Sequence, residues 1–282
     1  MFEIRPLDLS PTGLEQTARL LRAVFPAARH LDAAYLDRLY HGNPAGETFG
    51  LCAHQDGELV GHYLMIPIRA RLFGQEETGI WPFQLATHPA HRLKGLFSAF
   101  VEESFGLCRD RGYGFFAGVG NANSTPIFVK KWGYQCIRSL DAKIGLGPAP
   151  QSGDDGELDL VRLWDRDSIA WRLTHPARPY SVARSKESAR LYARGPYGIP
   201  VEVGAFPEAV VPRDLPRLPS PRPLRFWVGA DPTRSWARSA YVDVPARVRP
   251  SPLNLLFFDL SGAGRHFEPS RVRYEVFDFD AY

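Results

Sequence analysis

Leu85-Ala86-Thr87-His88-Pro89-Ala90-His91-Arg92-Leu93-Lys94-Gly95-Leu96-Phe97-Ser98 is the stretch whose reading decides the fold. It leaves an apolar segment, Ile80 to Ala86, and passes a break marked by Pro89. It then enters Ser98 to Arg111, where apolar residues recur at helical spacing. A strand therefore feeds a short loop that opens a helix. The first turn of a helix has backbone N–H groups without partners and the positive end of the dipole, so such a junction binds anions. Gly95 lets backbone approach a ligand with no Cβ in the way, and Arg92 and Lys94 add charge suited to phosphate.

Working outward, Phe2 to Leu7 reads as a strand, and Ser10-Pro11 supplies a cap and a first-turn proline for a helix with Leu14, Ala18, Leu21 and Phe25 on one face. A second helix is expected over Asp32 to Tyr40, followed by a loop at Asn43-Pro44-Ala45-Gly46. Phe49 to His54 and Leu59 to Leu72 read as strands joined through Asp56-Gly57, a strong hairpin signal. Ile80 to Ala86 is the expected central strand, and Phe115 to Val119 the next, parallel to it if a right-handed crossover joins the two. A short helix follows from Ser124 to Trp132, and Tyr134 to Leu146 is expected as one strand closing the unit.

Pro89, Arg92, Gly95 and Leu96, followed by a helix, by Asn121-Ala122-Asn123-Ser124 and by Lys131-Trp132-Gly133-Tyr134, resemble the acetyl-CoA-binding core of the GNAT N-acetyltransferase superfamily, in its larger two-domain bacterial form. That family's loop runs Gln or Arg, x, x, Gly, x, Gly or Ala; here it is Arg92-x-x-Gly95-x-Phe97, with a bulky residue in the last place. The resemblance implies an α/β fold whose central mixed β-sheet is splayed and flanked by helices. It also implies an acetyl-CoA or other acyl-CoA cosubstrate and transfer of the acyl group to an amine. The implied coenzyme contacts are Leu85, Ala86 and Thr87 for the thioester carbonyl and Arg92, Leu93, Lys94, Gly95, Leu96, Phe97 and Ser98 for the pyrophosphate. Asn121, Asn123 and Phe128 would flank the pantetheine arm. The family's acid is commonly a Tyr four residues before the last Gly; that position is Val129, so the role falls to Tyr134, Tyr63, water or no side chain. His62, Glu47 and His88 are the base candidates, an imidazole being able to accept a proton near neutrality.

The chain has 282 residues, 44% of them hydrophobic and 23% charged, enough for two cored domains. Gly147 to Gly156 is rich in Pro, Gly, Ser and Asp, which divides the chain into residues 1–147, a linker at 148–156 and a second half at 157–282. No Arg-x-x-Gly loop of the first kind recurs in that half. It is expected to be a degenerate GNAT-like unit without a coenzyme site, with strands near 158–163, 180–183, 189–193, 201–205, 224–228, 253–258 and 272–277. Trp171, Arg172, His175 and Tyr180 would face a pocket shared with residues 35–47. If the second half instead lies away from the pocket, it becomes a dimerisation surface and the protein a homodimer.

A net charge of +3, from 34 basic and 31 acidic residues with no long basic run, gives no footprint for nucleic acid. Arg residues gather between positions 213 and 249, which suits either a solvated face or an anionic substrate. Three widely spaced cysteines make neither a disulfide framework nor a metal motif, and there is no leader-like or membrane-spanning run. The expectation is a cytoplasmic enzyme without metal, acting on a small-molecule amine, an amino sugar or nucleotide-linked amino sugar being favoured. The alternative is a non-catalytic acyl-CoA-binding or interaction module.

Overall fold

The computed structural model describes residues 2–26, 28, 30–174, 179–218 and 223–279. In chain order the elements of the first half are β1 (Glu3–Pro6), α1 (Pro11–Val24), α2 (Ala33–Tyr40), β2 (Phe49–Gln55), β3 (Glu58–Leu72), β4 (Gln75–Thr87), α3 (Leu96–Asp110), β5 (Phe115–Gly120), α4 (Thr125–Trp132), β6 (Gln135–Ser139) and β7 (Asp141–Leu146). The second half adds β8 (Leu160–Arg162), α5 (Arg166–Leu173), β9 (Ser181–Arg184), β10 (Ser188–Arg194), β11 (Pro200–Pro207), β12 (Leu224–Ala230), β13 (Tyr241–Asp243), β14 (Asn254–Asp259) and β15 (Val272–Glu275).

Local chemistry sets most of these boundaries. Ser10 caps α1 by accepting from the Gly13 N–H, and Asp32 caps α2 by accepting from the Tyr35 N–H at 2.8 Å. Asp56 and Gly57 turn β2 into β3 with φ of 54° and 82°, the paired positive angles of a tight hairpin. Phe73 and Gly74 repeat this with φ of 47° and 81°, so β4 starts at Gln75, earlier than its apolar run suggests. Residues Gln75 to Thr78 are polar because the outer end of this hairpin is mostly exposed while still paired to β3.

The fifteen strands of the described residues join in one sheet, with the path β6-β14-β5-β4-β3-β8-β15-β12-β11-β10-β9 and with β1, β2, β7 and β13 attached beside it. The largest apolar cluster lies under α1 and α2 and runs on into the second half, a second lies under α3 and α4, and a small third one gathers Ala149, Trp227 and Tyr241. The mixed, splayed sheet flanked by helices is therefore present. The closing strand is not as expected. Tyr134 to Leu146 breaks at the buried Leu140, whose N–H is held by the Leu253 carbonyl at 2.7 Å. β6 then pairs with β14, whereas β7 crosses to β12 and β13. β14 lies between β5 and β6, sending Leu255 and Phe257 into the largest cluster and Leu256 and Phe258 into the second. Four consecutive apolar residues suit a strand buried on both faces.

Residues 147–157 contain no strand or helix, as their composition predicts, yet they are fastened down. The Ala149 N–H donates to the Glu202 carboxylate at 3.0 Å, Arg234 donates to the Pro150 carbonyl, and Asp155 bridges Arg71 and Arg273. In the second half, parallel β11 and β12 are paired at Val201–Phe226 and Glu202–Trp227 and then part. The 3-10 turn Val276–Asp278 packs against both, its Phe277 ring 5.0 Å from Phe206 and 4.6 Å from Trp164.

Because β14 completes the sheet beyond β5, a chain ending at Gly147 leaves the apolar edges of β5 and β6 unpaired. Such a fragment is expected to be insoluble or to lack a cooperative thermal transition by circular dichroism, whereas the full chain melts in one step.

Candidate active site

β4 and β5 share one paired position, Ile80 with Phe116, and then diverge. Just beyond it the register between β3 and β4 slips: His62 faces Ala86 and Leu64 faces Phe83, so Gln84 and Leu85 together oppose Tyr63. This is a β-bulge, which leaves backbone without a ladder partner, and Gln84 sits at φ 48°, an angle a non-glycine residue adopts only under strain. The gap between the strands opens into a cavity of about 310 Å³. Its lining residues come from both faces of the sheet. On the α3 and α4 side it is lined by Tyr63, Leu85, Phe97, Phe128, Tyr134 and Leu256; on the α1 and α2 side by Trp81, Phe83, Val119 and Phe279.

The α3 side carries the anion site foreseen in the loop. Pro89–His91 form a 3-10 turn, Leu93 is fully exposed at φ 62°, and Gly95 caps α3 at φ 82° with no side-chain cap. The first bond of the helix runs from the Ala99 N–H to the Gly95 carbonyl at 3.1 Å, which leaves the amides of Leu96, Phe97 and Ser98 at the open end. Arg92 and Lys94 are exposed beside it. Asn121 accepts from the N–H groups of Asn123 and Ser124 at 2.9 and 3.0 Å, shaping the turn into α4.

Of the coenzyme residues expected from sequence, Leu85, Phe97, Asn121 and Phe128 line the cavity. Ala86 and Thr87 do not; they pair with His62 and Gly61, so the backbone free to meet a carbonyl is that of Gln84 and Leu85 instead. Leu96 is core, its side chain close over Gly61, and Asn123 is exposed outside the cavity.

The three base candidates fall away. His62 is wholly buried, and burial drives its pKa down to about 3, so the imidazole stays neutral and cannot take a proton from a bound amine. Its Nε2 lies 3.1 Å from the Tyr40 hydroxyl, while its Nδ1 has no partner. Glu47 is exposed next to a loop pinned to β3 by the Asn43 bond to the Pro67 carbonyl, and it does not line the cavity. His88 caps the 3-10 turn, its Nδ1 accepting from the Ala90 N–H at 3.3 Å. The expected pocket residues of the second half are structural too. Trp171 donates to the His41 carbonyl at 3.0 Å, Arg172 is buried and donates to the carbonyls of Phe277 and Phe279, and Tyr180 is core. His175 lies outside the described residues.

The cavity gathers the two tyrosines considered for the acid role together with residues that local patterns do not single out. The Tyr134 hydroxyl is fully buried without a hydrogen-bond partner, and burial holds its pKa well above the ordinary phenol value. Tyr63 is similar, with Ser104 nearby turning its own hydroxyl to the Val101 carbonyl at 2.7 Å. Leu256 and Phe279 come from the second half, which therefore walls the cavity. Gln84 did leave a signal, as a lone polar residue inside an otherwise apolar strand.

The acetyltransferase (GNAT) domain description matches residues 3–137. Those residues are a GNAT acetyltransferase domain. A curated relative, the mycothiol acetyltransferase of Geodermatophilus obscurus, is 31% identical over 140 residues, 49% of this chain and 43% of that protein. The chain thus spans less than half the length of that relative. Among solved structures, a probable N-acyltransferase from Enterococcus faecalis V583 superposes with a TM-score of 0.64 at 10% identity, covering 93% of this chain and 73% of that one. Saccharomyces cerevisiae N-myristoyltransferase gives 0.59 at 9% identity, covering 91% and 82%. These are likenesses of fold, and they run through both halves of the chain.

Burial of His62 has a measurable consequence for pH. The unfolded imidazole gains its proton near about 6.5, the native one only near 3, so between these values the unfolded state binds more protons and stability falls as pH falls. Asp278, pushed up to about 6 by burial, opposes this below pH 6, because the native state then takes up a proton first. His62→Asn removes only the first effect. Its melting temperature should decline less than that of the wild type from pH 6.5 to 4 in parallel melts; equal declines would contradict the buried neutral imidazole.

Proposed function

We propose that the protein is an acyl-CoA-dependent N-acyltransferase, using acetyl-CoA, that transfers the acyl group directly to a primary amine of a small molecule. The observation that carries this reading is a cavity at the β4–β5 divergence lined from both faces of the sheet, with Phe97 of the open first turn of α3 on one side and the aromatic residues Trp81, Phe83 and Phe279 on the other. The amides of Leu96, Phe97 and Ser98, with Arg92 and Lys94, would hold the pyrophosphate. The bulge at Gln84 and Leu85 would offer backbone to the thioester carbonyl, where a donor stabilises the charge that develops on oxygen. The amine nitrogen bonds the acyl carbon as the C–S bond breaks, the amine proton goes to water, and the thiolate is protonated. Tyr134, buried and unpaired, is the donor this arrangement supplies for the departing sulfur. The three free cysteines are consistent with a reducing compartment such as the cytoplasm. Among the described residues no helix is long and apolar enough to cross a membrane.

A second reading, a non-catalytic acyl-CoA binder, draws on the absence of any carboxylate or imidazole among the described cavity-lining residues. Calorimetry with acetyl-CoA followed by thiol release with a panel of amines separates the two. Turnover with any amine excludes the pure binder, tight binding without turnover favours it, and absence of binding removes both.

Gly95→Val should weaken acetyl-CoA binding by a few kcal/mol. The branched residue is strained at φ 82°, and losing charge-assisted hydrogen bonds costs about 1.5–3 kcal/mol each. Calorimetry on a variant with an unchanged melting temperature is the check.

Tyr134→Phe removes an unpaired buried hydroxyl, so stability should hold or rise, while kcat falls by at least about a hundredfold if the phenol serves the leaving sulfur. Unchanged kcat would assign that proton to water.

With no base in the cavity, log(kcat/KM) should climb with unit slope up to the pKa of the amine itself and should shift when an amine of lower pKa is used. A break that stays fixed across amines would reveal a protein base.

A further inference from the structure

We infer that Gln84 is the residue that positions the acceptor, and that the acceptor is a primary amine with a flat apolar body and a hydrogen-bond-accepting oxygen close to its nitrogen. This rests on the N-acyltransferase reading above and names the substrate class of that site.

The argument starts from a buried relay on the acceptor side of the sheet. The Tyr40 hydroxyl lies 2.5 Å from the Gln84 Oε1 and 3.1 Å from the His62 Nε2. A side-chain carbonyl only accepts, so Tyr40 spends its single proton on Gln84 and must accept the N–H of His62. That fixes the His62 tautomer with hydrogen on Nε2 and a bare lone pair on Nδ1, and Nδ1 is the atom without a partner. The reverse arrangement, with the Gln84 amide nitrogen donating to Tyr40, would strand a buried N–H on Nδ1, and orphaned donors are rarer than under-satisfied acceptors. The Gln84 oxygen also lifts the His62 pKa against burial, as an acceptor close to the ring does.

With its oxygen committed to the relay, the Gln84 side chain has its two N–H donors left for the cavity it lines. Its backbone is strained at φ 48°, and the relay helps hold it there. Around it the acceptor mouth is aromatic: Trp81 and Phe83 have ring centroids 4.6 Å apart, and Phe25 and Phe279 line the same cavity. Trp81 is fixed from behind by the guanidinium groups of Arg162 and Arg172, 5.5 and 5.4 Å from its ring centroid. Besides the phenols and the Trp81 indole N–H, the polar side chains among the described lining residues are Gln84, Asn121 and Ser124, and Asn121 is already engaged in its turn. A polyhydroxylated sugar would leave most of its hydroxyls desolvated without partners, whereas a planar apolar body fits such walls and needs one polar grip. None of the described arginines between positions 213 and 249 lines the cavity.

The test uses the full chain with acetyl-CoA and three amines: phenylalaninol, 2-phenylethylamine and glucosamine. The expected order of kcat/KM is phenylalaninol, then 2-phenylethylamine about tenfold lower for one lost hydrogen bond, then glucosamine lower again. Gln84→Leu, and Gln84→Glu, which keeps the size but replaces donors by an acceptor oxygen, should bring the phenylalaninol to 2-phenylethylamine ratio toward one, mainly through KM. Tyr40→Phe, which frees the Gln84 oxygen, should reduce the same ratio, and the Tyr40→Phe/Gln84→Leu double variant should be no worse than Gln84→Leu alone. An unchanged ratio in folded Gln84 variants would reduce Gln84 to a structural residue and overturn the inference. So would glucosamine as the preferred acceptor, or acetyl-CoA binding without turnover of either aromatic amine. Absence of acetyl-CoA binding by calorimetry would instead remove the wider reading, and this one with it.

Discussion

Two neighbouring parallel strands that pair at Ile80 and Phe116 and nowhere else are the constraint on which the rest of this protein depends. Backbone groups exposed by such a divergence must find other partners or a ligand. On the far side of β5 the solution is β14, which supplies a full antiparallel ladder from Asn254 to Asp259. On the near side, the bulge at Gln84 and Leu85 turns β4 away from β5. The cavity is thus the space left when both strands are satisfied elsewhere.

The second half presents the same geometry with a different outcome. β11 and β12 also run parallel, pair at two positions and part, but the segment Val276–Asp278 fills the space with Phe277. That segment is held by a buried cluster: Arg162 donates to the Asp278 carbonyl, Trp164 donates to the Asp278 carboxylate at 2.7 Å, and Arg172 donates to the carbonyls of Phe277 and Phe279. Breaking one partner of such a cluster leaves an uncompensated buried charge, which is costly. The arrangement that closes one opening thereby also fixes Phe279 in the wall of the other.

Electrostatics in the two mouths of the cavity differ for the same structural reason. The α3 mouth ends at a helix start with exposed Arg92 and Lys94, so it is positive and hydrated. The α1 and α2 side is lined by aromatic rings, and burial keeps His62 neutral there, as it keeps the Tyr134 phenol protonated on the α3 and α4 side. Within that lining specificity has to come from shape and from a few hydrogen bonds fixed in direction.

The sequence by itself determined what is settled within a few residues along the chain. Asp56-Gly57 specified a hairpin, Ser10-Pro11 and Asp32 specified helix starts, and Gly95 after Pro89 and Arg92 specified an open helix terminus, because capping and positive φ are local demands. Apolar runs likewise located the strands of the second half, including β14 but not the short β13. Only the tertiary structure decided where β14 inserts, that Leu256 and Phe279 wall the cavity, and that His62 is sealed away while Gln84 lines the cavity. Which edges meet depends on complementary buried faces far apart in the chain, and the protonation of a histidine depends on how much water the finished fold leaves around it.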